Sequence, residues 1–76
     1  MKVDKLARMA NQIAANFEYG ADKDKAAATV ADHLRRFWTP SMRKLIVDGY
    51  RRDAVELSDL AKLAVAKLAE QSSVSA

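Results

Sequence analysis

Cysteine is absent from the chain, which excludes a disulfide scaffold, a thiolate-bound zinc, an iron–sulfur cluster held by the chain itself and a cysteine nucleophile. Histidine occurs once, at His33, and a metal would need two or three further ligands; the nearest carboxylate, Asp32, projects from a different face of the same helix. Glycine occurs only at Gly20 and Gly49, so no phosphate-cradling loop exists, and no Ser or Thr stands in a glycine-rich turn as a nucleophile would. No apolar run approaches the roughly 20 residues that cross a bilayer. The start, Met1-Lys2-Val3-Asp4-Lys5, lacks the apolar core and small-residue cleavage site of a secretory signal. A soluble, cytoplasmic chain that avoids membranes and catalyses nothing by itself is the expectation.

What is present suits one small domain. The chain has 76 residues, half of them hydrophobic, but 15 of these are Ala, which adds little area to a core. With no disulfide or metal to staple a domain of this size, either its helices pack very well or a partner completes the burial. Charge is unevenly placed. Between His33 and Arg52, Arg35, Arg36, Arg43, Lys44, Arg51 and Arg52 face Asp48 alone, a net of +5, while the chain as a whole carries +3. A basic middle is either a solvated face or a surface for an acidic partner or phosphates.

Strand signals are weak throughout, and helical periodicity is strong. Leu6, Met9, Ile13 and Phe17 recur at steps of three and four and predict a helix from about Asp4 to Glu18, stopping at Gly20. A second helix is predicted from about Asp24 to Trp38, N-capped by Asp22 or Asp24. Val30, Leu34 and Phe37 line one side of its stripe, Ala27, Ala31 and Trp38 the other, and Asp32 and Arg36 form an outward ion pair. The two helices read as an antiparallel hairpin.

Thr39-Pro40 is the sharpest punctuation. Proline disfavours helical geometry in the residue before it and suits the first position of a new helix, with Thr39 as N-cap. A short third helix is therefore predicted from Pro40 to Asp48, burying Met42, Leu45 and Ile46, turning Val47 outward and stopping at Gly49. Tyr50 to Leu57 is either an irregular connection or a helical extension. Ser58 then caps a fourth helix to about Ala69, with Leu57, Leu60, Ala64 and Leu68 along one face. The expected architecture is an all-α bundle of three to four helices forming a single domain over residues 1–70, with 71–76 as a disordered tail.

Several side chains invite two readings. His33 lies on the flank of the apolar stripe, as a boundary or interface residue. Phe37 and Trp38 are neighbours and point about 100° apart on a helix. Both sit at the edges of a wide apolar stripe, or Trp38 turns outward between Arg35 and Arg43 as an aromatic anchor. Asn11 and Gln12 are either solvent-facing or part of a face, with Ala7, Ala14 and Ala15, built for close packing against protein.

Met9-Ala10-Asn11-Gln12-Ile13-Ala14, followed by Val30-Ala31-Asp32-His33-Leu34-Arg35-Arg36-Phe37-Trp38-Thr39-Pro40-Ser41-Met42-Arg43, resembles the delta subunit of NAD-dependent formate dehydrogenase, over roughly residues 4 to 69. The second block is the specific part. The resemblance implies a non-catalytic accessory subunit that binds the alpha subunit and supports its assembly, stability or cofactor retention. It also implies that the molybdenum or tungsten pterin, the iron–sulfur clusters, FMN and NAD belong to partner subunits and none to this chain. Asn11, Gln12, His33, Arg36, Trp38, Pro40 and Arg43 would be its signature, partner-binding positions. Arg36 and Arg43 would pair with carboxylates of the alpha subunit, Trp38 would fill a pocket, and Pro40 would set the angle between helices. Weak self-association through the same apolar surface is compatible with this. The competing expectation is a small basic nucleic-acid-binding protein in which the helix after Thr39-Pro40 acts as a recognition helix.

Overall fold

A computed structural model describes residues 2–18 and 22–74, with side chains through residue 70. The described residues form four helices and no strand: α1 (Val3–Asn16), α2 (Lys23–Phe37), α3 (Pro40–Arg51) and α4 (Asp59–Val74). The predicted stop at Gly20 lies outside the described residues.

Local chemistry sets the ends. The Asp22 carboxylate accepts from the Lys25 amide at 3.1 Å and opens α2. The Thr39 hydroxyl accepts from the Met42 amide at 3.2 Å, and Pro40 occupies the first turn of α3, where its missing N–H costs nothing. Trp38, the residue that closes α2, has extended backbone as the Thr39-Pro40 break requires. Ser58 opens α4, its Oγ accepting from the Ala61 amide at 3.3 Å and its carbonyl from the Lys62 amide at 2.8 Å.

The core is one cluster drawn from all four helices and the connection before α4, with Leu6, Val30, Leu34, Ile46, Leu60 and Val65 fully enclosed. The most extensive helix contact joins α2 to α4. Lys67 Nζ lies 2.9 Å from Asp24 Oδ1, which puts the later turns of α4 beside the first turn of α2. The expected α1–α2 hairpin contact exists but is smaller. Ala27 and Ala31 of α2 and Ala61 and Ala64 of α4 are all buried in the common core.

Four expectations are corrected. α1 buries Leu6, Ala7, Ala10 and Ala14, while Met9, Ile13 and Phe17 are only partly covered, so its inner face is rotated toward the small residues. α3 does not stop at Gly49. It runs on to Arg51, and Gly49 is buried where a Cβ would meet Val3 Cγ2 at 2.9 Å and Val55 Cγ1 at 3.1 Å. This glycine serves a close approach of chain segments rather than a helix end. The flanks of α3 are exchanged: Val47 is 7% exposed and Leu45 40%. α4 continues past Ala69 to Val74, and residues 75 and 76 lie outside the described residues.

The open choice for Tyr50 to Leu57 is resolved: Tyr50 and Arg51 continue α3, and an irregular connection follows. Asp53 takes φ 53° there, the left-handed conformation that an Asp tolerates better than most residues. The Ala54 amide donates to the Gly49 carbonyl at 2.9 Å and the Asp53 amide to that of Tyr50 at 3.1 Å, which closes the end of α3.

Candidate interaction surface

Six of the seven candidate positions separate into three places, and Trp38 lies in the core. Asn11 faces the α3–α4 connection. Its Nδ2 donates to the Glu56 carbonyl at 3.0 Å, and its Oδ1 accepts from the Ser58 amide at 2.8 Å. The close-packing face expected around Ala7 and Ala14 therefore exists, but this chain's own backbone occupies it. Ala15 and Gln12 are exposed on the same helix.

The second place is the later half of α2. Asp32 gathers two guanidinium groups, Arg36 at 3.0 Å, as the four-residue spacing predicts, and Arg35 at 2.5 Å. Both arginines are more than half exposed, so these pairs add only about 0.2–1 kcal/mol each. The His33 ring lies 4.7 Å from that of Phe37 and 6.5 Å from that of Phe17, both tilted, an aromatic cluster half open to solvent. That contact accounts for His33 as a boundary residue.

The outward orientation considered for Trp38 is corrected here. Trp38 is 6% exposed and belongs to the core, whereas Phe37 is 72% exposed. The helix ends at Phe37, and the extended backbone of Trp38 redirects its side chain inward, a turn that a helical wheel does not contain.

The third place is α3. Arg43 Nη1 donates to the Arg35 carbonyl at 2.5 Å, one of the carbonyls left free at the end of α2, so this arginine ties α3 to α2 across the Thr39-Pro40 corner. An open groove follows the outer side of α3, with Arg43, Lys44, Leu45, Val47, Asp48 and Arg51 along it and Pro40 at one end. Pro40 and Arg43 are thus brought together, while Asn11, Gln12, His33 and Arg36 stand elsewhere.

Lys44 and Arg51 belong to the basic middle read from the sequence, whereas Leu45 is expected there in the core. The shared face of the two cations was available in the spacing. Lys44, Asp48 and Arg51 follow one another at four and three residues and share one face, provided that the helix runs through Gly49. Ending α3 at Gly49 removed Arg51 from that face.

No helix among the described residues is long and apolar enough to cross a membrane. One family model, described as the NADH-dependent formate dehydrogenase delta subunit FdsD, matches residues 5–65. No curated protein and no solved structure matches the chain at a significant level.

Proposed function

The chain belongs to the NADH-dependent formate dehydrogenase delta subunit family, and from that premise we propose that it is a non-catalytic accessory subunit that binds the alpha subunit and supports its assembly, stability or cofactor retention. The observation that carries this is the family match, which spans both signature blocks from Met9 to Arg43. Membership in a family of dehydrogenase subunits implies association with other subunits, and the alpha subunit is the partner proposed.

The molybdenum or tungsten pterin, iron–sulfur clusters, FMN and NAD are assigned to the partner subunits. The donor set of this chain does not fit an iron–sulfur cluster: it has no cysteine, and its single histidine is packed against Phe17 and Phe37. Among the described residues no three His, Asp or Glu side chains converge as metal ligands would. The contribution of this chain is then surface and shape. Of the signature positions, exposed Gln12, Arg36 and Pro40 and the partly exposed His33 and Arg43 are the proposed contacts. Trp38 supports them from the core.

Production of the dehydrogenase with and without this chain tests the proposal. A smaller complex, lower cofactor occupancy or lower formate-dependent NAD reduction without it supports an accessory role. Identical size, occupancy and activity in the two preparations, with no co-purification of the chain, would overturn it.

A further inference from the structure

We propose that the groove along α3 is the docking site for an acidic segment of a partner subunit, one that carries an apolar side chain between carboxylates. The inference rests on the accessory-subunit proposal and adds the surface and the chemistry of the segment that it takes.

Charge complementarity is the first argument. Arg43 and Lys44 line the groove, and its Asp48 carboxylate lies 3.3 Å from the Arg52 guanidinium, which offsets it. The groove therefore presents an excess of positive charge, although the rest of the chain outside residues 33–52 is net negative. A carboxylate-bearing segment is attracted to this face.

The second argument concerns the apolar surface. Leu45 is 40% exposed at the groove, so burying it releases water, while the cations around it fix register. Apolar contact flanked by charge distinguishes a peptide from a nucleic acid. Phosphates gain nothing from Leu45, and Asp48 opposes them. The lining residues run from Pro40 to Arg51 on one helix of 12 residues, a length suited to a short helical or extended segment.

Coupling with a zero-length carbodiimide in the assembled dehydrogenase tests the claim directly, because that reagent joins a Lys amine only to a carboxylate in contact with it. Mapping by mass spectrometry is expected to find Lys44 joined to an Asp or Glu of another subunit. Leu45→Asp is expected to reduce co-purification with the other subunits roughly tenfold or more, as loss of a central apolar contact does. Circular dichroism should show its helix content unchanged, since Leu45 lies outside the core. Where the wild-type chain co-purifies but only other lysines couple, and Leu45→Asp and Lys44→Glu bind normally, the groove assignment is wrong and the subunit proposal stands. Where the wild-type chain itself fails to co-purify, both fall. Binding of a labelled random-sequence DNA duplex at low salt that Lys44→Glu abolishes would also overturn the peptide assignment.

Discussion

The side chain of Asn11 holds the backbone at Ser58, accepting from its amide at 2.8 Å, and so fixes the start of α4 against the middle of α1. Nδ2 of the same Asn11 side chain donates to the Glu56 carbonyl at 3.0 Å, so its donor and acceptor ends are both engaged across 45 and 47 residues of sequence. An Asn does this because it offers both ends in one plane.

Asn11→Ala is expected to destabilise the protein by about 1–2 kcal/mol, since two backbone groups lose their partner in a half-covered site. Asn11→Asp should do no better. It keeps the acceptor for Ser58 but sets a carboxylate oxygen against the Glu56 carbonyl. Urea unfolding followed by the fluorescence of the single Trp measures both, and wild-type stability in Asn11→Ala would contradict the assignment.

Trp38 and Phe37 should separate sharply. Trp38→Ala empties part of the core and is expected to cost about 3–5 kcal/mol, enough to unfold much of so small a domain. Phe37→Ala, at a 72% exposed position, should change stability by less than about 1 kcal/mol. Equal effects of the two in thermal unfolding would show that the helix end does not redirect Trp38 as described.

Gly49→Ala sets two effects against each other. Alanine favours a helix interior by up to about 1 kcal/mol over glycine, but its Cβ would stand 2.9 Å from Val3 Cγ2 and 3.1 Å from Val55 Cγ1. Overpacking of that kind costs about 1–3 kcal/mol, so a net loss is expected. Trimming the neighbours in Gly49→Ala with Val3→Ala and Val55→Ala should relieve the clash, and a double-mutant cycle in urea would read it as positive coupling. A single Gly49→Ala more stable than wild type would show that the valines move aside freely.

Arg43→Met keeps the aliphatic stem but removes the donor to the Arg35 carbonyl. A loss of about 1–2 kcal/mol is expected for a charge-assisted bond at a half-exposed site. Hydrogen exchange should quicken in the last turn of α2 and the first turn of α3 before it does elsewhere. Lys44→Met, one residue along, should leave exchange at the corner unchanged, and faster exchange there in both variants would contradict a specific role for Arg43.

Helix content, the caps at Asp22, Thr39 and Ser58, the break before Pro40 and the Asp32–Arg36 pair were legible in the sequence, because each is settled among residues within about one turn of one another. The family, too, could be recognised from the two signature blocks, and the match over residues 5–65 bears that out. Less of the surface was legible. Leu45 and Val47 flank the same helical stripe, and nothing in α3 itself says which flank its neighbours cover. The fold covers Val47 and leaves Leu45 half open, and with it the apolar part of the groove. Gly49 likewise reads locally as a helix end, and only the approach of Val3 and Val55 makes it a packing position inside the helix. Asn11 shows the same division. Its amide was visible as a hydrogen-bonding group on a small-residue face, but its partners lie more than 40 residues away and are chosen by how the helices assemble. Short-range hydrogen bonding and chain stereochemistry decide where helices begin and end; which side of each is buried depends on contacts that exist only after the chain has packed.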